Sequence, residues 1–284
     1  MLVAVGIASE VQFIGGDAGY AVFVEGAVRE QALHQLWMYE QERLRRPPPE
    51  PEGEPLQPRA WLGSVIYALV LLAVPLALGQ GWLPVDPYAA GVMSPEKMHA
   101  GQWWRALTAL TLHWDASHLL GNLGSGALLG FSAAQVWGNA RAWLLILLAA
   151  ALANAAEGAL GIAHYVSAGA STAVFAALGL AAAHAWRTRS QRAPSLRRRW
   201  APLLAGIAML GFFGAGTEDP QGGITDPTNV LSHALGFAAG VALGAAVATT
   251  RGAALLRRLP AWLAATAALA AIALAWTLAL RASV

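Results

Sequence analysis

A serine, two histidines and an asparagine sit where an otherwise apolar chain should not carry them. Ser171 lies in Gly169-Ala170-Ser171-Thr172-Ala173-Val174-Phe175. His233 lies in Ser232-His233-Ala234-Leu235-Gly236, with Gly240 four residues on. His118 and Asn122 close the run His113-Trp114-Asp115-Ala116-Ser117-His118-Leu119-Leu120-Gly121-Asn122. Each group opens a long apolar segment. His118 and Asn122 are four apart and share one helix face. A serine hydroxyl attacks a carbonyl once a base takes its proton, and an imidazole can take that proton and return it to a leaving amine. Histidine and asparagine side chains, and the free N–H groups at a helix start, can donate to the oxyanion that forms. The set suits acyl transfer, with Ser171 as nucleophile and His233 as general base. His118, Asn122 and the Ser171 backbone N–H would then form the oxyanion hole. Asp115 and Glu157 read as interfacial, and no acidic third member is evident near the base. The expected unit is therefore a Ser–His dyad.

Taken singly, each residue has an ordinary explanation. A serine in a membrane helix can bond back to the preceding turn, and a His–Asn pair can be glue between helices. His164, seven residues before Ser171, is a rival base or a solvated loop residue. What has to be explained is why all of them occur together, and that depends on the segments that carry them.

The 284-residue chain is 57% hydrophobic and only 12% charged, against about a quarter charged in a soluble domain. Its apolar residues form blocks long enough to cross a ~30 Å hydrocarbon layer as helix. The blocks predict seven spans, at 61–79, 117–137, 143–160, 170–186, 200–216, 229–250 and 261–280. The fold class expected is an all-α polytopic membrane protein. Gly236, Gly240 and Gly244 recur every fourth residue, a spacing that lets membrane helices approach closely. There is no cysteine, which excludes disulfides, thiolate metal sites and a cysteine nucleophile. No cofactor and no nucleic acid are called for.

Ahead of the spans, residues 1–46 read as a small α+β piece. Leu2–Ile7 and Tyr20–Val24 are short strand-like runs, and Ala27–Arg46 is an amphipathic helix. Residues 47–60 are a proline- and glutamate-rich linker. The membrane core is expected over 61–250, and 251–284 hold a short loop and the seventh span.

Arginines set the orientation. With the N-terminus in the cytoplasm, the inner side receives Arg29, Arg43, Arg45, Arg46, Arg59, Arg141, Arg187, Arg189, Arg192, Arg197, Arg198, Arg199, Arg251, Arg257 and Arg258. The outer side receives only Lys97, Arg105 and Arg281. That asymmetry predicts an odd number of spans and an external C-terminus. The stretch from Gln80 to Ser117 becomes an external, tryptophan-rich loop at headgroup level. The openings of spans two, four and six then share one outer layer, although those polar residues played no part in setting the topology. Polar groups inside a span cost about 2.5–3.5 kcal/mol each when ionisable, so their clustering at one end is informative.

The combination resembles the rhomboid family. The matching residues are Trp104-Arg105, then His113 with His118 and Asn122, then Gly169-Ala170-Ser171, then His233 with Gly236 and Gly240, over about residues 61–250. The resemblance implies a six-helix core around a water-filled site immersed in the membrane, and cleavage of transmembrane proteins near their outer ends. It makes Ser171 the nucleophile and His233 its base, with Phe175 stacking on that base where many members have tyrosine. The seventh span resembles the six-plus-one arrangement of some members, and the N-terminal piece resembles their small cytoplasmic domain. The setting implied is a bacterial inner membrane. One departure is plain: the stretch Ala133-Ala134-Gln135-Val136-Trp137-Gly138 lacks the glutamate and arginine found in many members near the inner end of span two. Ala173 also breaks the Gly-x-Ser-x-Gly elbow of soluble hydrolases.

Two other classes compete. A catalytically inactive relative that binds membrane clients would keep the fold but lose Ser171 or His233. A small transporter would spread polar residues through the bilayer depth and often repeat internally. Here the polar residues gather at one end, and no repeat is evident.

Overall fold

A computed structural model of the chain describes residues 2–15, 19–45, 57–82, 85–161, 166–190, 195–214 and 230–283. Two compact units divide it, Met1–Pro55 and Leu56–Val284.

In the first unit, β1 (Ser9–Phe13) and β2 (Tyr20–Val24) pair antiparallel, with Ser9 opposite Val24 and Phe13 opposite Tyr20. Helix α1 (Arg29–Arg45) follows. The run Leu2–Val5 is a 3-10 turn and not the expected strand. Leu2 and Ile7 are instead buried with Ala32 of α1, and Gly6 at φ +80° turns the chain between them. The pairing strand begins only after that core contact is made.

The second unit is helical. Its long helices are α2 (Trp61–Gly79), α6 (Ala116–Trp137), α7 (Asn139–Leu160), α8 (Ser171–Ser190), α9 (Leu196–Gly214), α10 (Val230–Val247) and α12 (Ala261–Arg281). Each coincides with an expected span. Between α2 and α6 lie three short helices, α3 (Pro87–Gly91), α4 (Pro95–His99) and α5 (Arg105–Thr108), and α11 (Thr250–Arg258) precedes α12. Helices α2, α7, α10 and α12 are each long and apolar enough to cross a membrane. The other three carry the polar residues of the site or arginines at one end. Leu69, Leu128 and Leu152 are 62%, 66% and 57% exposed, as suits side chains facing lipid.

The region between α2 and α6 is a folded structure rather than a loose loop. Asp86 and Ser94 cap α3 and α4 with their side chains. Arg105 is buried, and its guanidinium donates to the carbonyls of Val92 (2.7 Å) and Ala89 (2.9 Å) and to Gln102 Oε1. One rigid fork thus ties three parts of the segment together. Trp276 of α12 donates to Thr111 Oγ1, so the seventh helix braces the same segment. Trp82, Trp103 and Trp114 are exposed.

Two amide side chains accept backbone N–H groups at the far end of α6 and the start of α7. Gln135 Oε1 accepts the Gln57 N–H (2.7 Å), and Asn139 Oδ1 accepts the Gly63 N–H (3.0 Å). Gly63 lies in the first turn of α2, whose N–H groups have no intrahelical carbonyl. Asn139, at the start of α7, therefore caps α2 from a neighbouring helix.

Helices α8 and α10 pack closest, and the glycines explain why. A β-carbon at Gly240 would lie 2.1 Å from Ala176 O, at Gly236 2.5 Å from Thr172 O, and at Gly179 2.2 Å from Phe237 O. The obstacles are backbone atoms, which cannot swing aside. Gly240→Ala is expected to lower stability by about 1–3 kcal/mol, as overpacking does. Gly211→Ala, where the added carbon meets nothing within 4 Å, should leave it nearly unchanged. Thermal unfolding in detergent checks the pair.

Candidate active site

The close approach of α8 and α10 sets the central geometry. Ser171, the first residue of α8, and His233, in the first turn of α10, face each other, with Nε2 of His233 2.7 Å from Ser171 Oγ. His233 is buried, whereas Ser171 keeps partial exposure. Phe175, one turn after the serine, lies against the imidazole with ring centroids 4.5 Å apart and planes tilted by 34°. Gly236 and Gly240 lie on the α10 face that meets α8.

The residues leading into Ser171 are held by the first loop. Met93 and Ser167 exchange backbone hydrogen bonds at 2.9 and 3.0 Å, and the Gly169 N–H donates to Ala109 O at 2.9 Å. Gly169 has φ +143°, which a residue with a side chain rarely adopts. Space excludes a side chain as well. A β-carbon there would lie 2.7 Å from His118 Cε1 and 3.6 Å from Asn122 Nδ2. Both α6 residues are therefore gathered beside the backbone two residues before Ser171.

Asn122 is buried, and its Nδ2 has no hydrogen-bond partner among the described residues. A buried donor without an acceptor is costly, and this one lies beside the start of α8. The backbone N–H groups of Ser171, Thr172 and Ala173 have no carbonyl within α8, where the first helical bond runs from Val174 to Ala170. Asp115 caps α6 by accepting the His118 N–H at 2.8 Å, which fixes the turn that carries His118. Hydrogen bonds from the Ser117 hydroxyl and from the His118 N–H hold the Asp115 carboxyl below its usual pKa.

His113 contacts the backbone just before Ser171. Its Nε2 accepts the Ala170 N–H at 3.3 Å. Burial, helped by the neighbouring His118, pushes its pKa down to about 4, so the ring is neutral at pH 7 and can accept. The Tyr88 hydroxyl donates to the His113 carbonyl.

The order and contacts of these residues reproduce the motif set read from the sequence, and a family model for the rhomboid domain matches residues 100–250. That stretch is more than half of the chain. The chain belongs to the rhomboid family. Rhomboids are generally intramembrane serine proteases, and this chain is a membrane protein with that family's all-α polytopic fold. No curated protein matches the chain significantly.

Glu157, read from the sequence as interfacial, is enclosed by protein rather than solvated. It is 1% exposed, within α7, and its Oε2 accepts a hydrogen bond from the hydroxyl of Ser232, the neighbour of His233. An acid thus lies one residue removed from His233. The sequence hid it because α7 is apolar on nearly every side, so periodicity does not say which face is covered. His164, the rival base, and the acids Glu218, Asp219 and Asp226 lie outside the described residues.

Proposed function

We propose that this rhomboid is a serine endopeptidase that cuts transmembrane segments of other proteins near the outer face of the membrane. The Ser171–His233 hydrogen bond between α8 and α10 carries the reading. Ser171 Oγ attacks the scissile carbonyl while His233 Nε2 takes its proton. The oxyanion is received by the Ser171 N–H, Asn122 Nδ2 and the His118 imidazole. His233 then protonates the leaving amine. Water, activated by the same imidazole, releases the acyl group from Ser171. Phe175 holds the ring in plane for both proton transfers.

The substrate class follows from the setting. The dyad lies at the starts of two helices in a membrane protein, so a carbonyl reaches it from within or beside the bilayer. The partners are transmembrane proteins and lipid. We place the chain in a bacterial inner membrane, as the family resemblance implies, with its N-terminal unit in the cytoplasm on the arginine asymmetry.

Purified full-length chain should cut a single-span protein in detergent and in liposomes, with products mapping to the outer third of the span. An intact, folded chain that cuts none of a panel of single-span proteins would defeat the proposal. Orientation is checked separately, and the absence of native cysteine makes that test clean. Single cysteines at Ser190 and Gln221 are probed in intact cells with an impermeant thiol reagent. Labelling at Gln221 alone is expected. Labelling at Ser190 alone would invert the placement.

A further inference from the structure

Glu157 is the acidic side chain buried among the described residues of the membrane unit, and the mechanism above does not use it. Ionisable groups inside spans are rare because lipid cannot solvate them. This one accepts the Ser232 hydroxyl across the α7–α10 contact, at the residue next to the base.

We propose that Glu157, acting through Ser232, is a positioning residue for His233. The inference rests on the peptidase reading. Ser232 lies in the first turn of α10, where backbone N–H groups lack intrahelical carbonyls and helices fray. Helix α10 meets α8 through Gly236, Gly240 and Gly244. Such a contact permits close approach, and Phe237 packs beside it among Phe175, Leu178 and Ala182, so apolar fit sets the register there. A directional bond from a third helix adds to that register at the first turn of α10. Helix α7 is itself tied down one turn earlier, where Asn154 Nδ2 donates to Ala106 O at 3.0 Å. The approach to Ser171 is tied to Ala109 O through Gly169. Nucleophile and base are thus both referenced to the segment 106–109, one through the backbone before α8 and the other through Asn154, α7, Glu157 and Ser232.

The test uses purified full-length protein and a single-span substrate, with active sites counted by end-point labelling with a fluorophosphonate. Ser232→Ala and Glu157→Ala should each lower kcat about 10- to 100-fold, the scale of an ångström-sized misplacement, with KM unchanged. The losses in the double variant should not add, because the Ser232–Glu157 bond is already gone in either single one. Glu157→Gln should keep most of the activity, since its carbonyl oxygen accepts the same hydroxyl. If Glu157→Ala does not fold, Ser232→Ala, which removes a single oxygen, carries the test alone. Wild-type kcat in Ser232→Ala overturns the inference, and so does a loss confined to KM or to thermal stability. A Glu157→Gln chain as impaired as Glu157→Ala overturns it too, because charge rather than acceptance would then matter. A wild-type chain without turnover overturns the peptidase reading and takes this inference with it.

Discussion

Ser171→Ala is expected to abolish cleavage, with turnover at least about 10⁴-fold below wild type, and His233→Ala should do the same. The two residues act as one unit across 2.7 Å, so the double variant should lose no more than either single one. Stability should change little. The Ser171–His233 bond is worth about 0.5–1.5 kcal/mol to the fold; His233→Ala also removes a buried ring packed on Phe175 and should lose somewhat more, but neither truncation disturbs the glycine contacts between α8 and α10. Turnover of a single-span substrate and the unfolding temperature, measured on the same preparations, check both statements. His164→Ala serves as the control for the rival base and should retain substantial activity. Near-normal turnover in either dyad variant would remove that residue from the mechanism.

Asn122→Ala should give the second largest loss, about 10²–10³ in kcat with little change in KM. That is the usual result of deleting one oxyanion donor, and it corresponds to about 2.7–4 kcal/mol of transition-state stabilisation. The reason is local. Asn122 Nδ2 is buried without a partner among the described residues, so the ground state gains nothing from it and the oxyanion can gain the whole bond. Truncation should therefore leave the folded protein as stable as before, or more so, while slowing the chemistry. If Asn122 were only glue between helices, stability would fall and the activity of the folded fraction would persist. His118→Ala should cost less, because the free N–H groups at the start of α8 can substitute in part.

Much of this was legible in the sequence because membrane helices are long and their polar interruptions costly. The seven helices announced themselves as apolar blocks. Ser171, His233, His118 and Asn122 stood out as polar residues at the block openings. Phe175 was assigned from the family resemblance, and its ring lies against that of His233.

What stayed hidden depended on which way a side chain faces. Glu157 sits in a helix with no polar side to betray a buried one, so its bond to Ser232 could not be foreseen. Gln135 read as part of a gap in the family's pattern and Asn139 went unremarked, because a cap supplied by another helix leaves no signature in local spacing. The short helices α3, α4 and α5 were read as loop: each is four or five residues long, below the length at which a hydrophobic period can be seen. The displaced first strand has a similar cause, since Leu2–Ile7 is β-branched enough to pair but its ends are drawn into the core under α1.

The most direct test of the central claim is to locate the nucleophile chemically. Full-length protein in liposomes is treated with a fluorophosphonate, digested, and the adduct mapped by mass spectrometry while cleavage of a single-span substrate is followed in parallel. The account predicts one adduct, on Ser171, forming as cleavage is lost, and neither adduct nor cleavage in His233→Ala. An adduct on another serine, or cleavage that survives complete modification of Ser171, would contradict it.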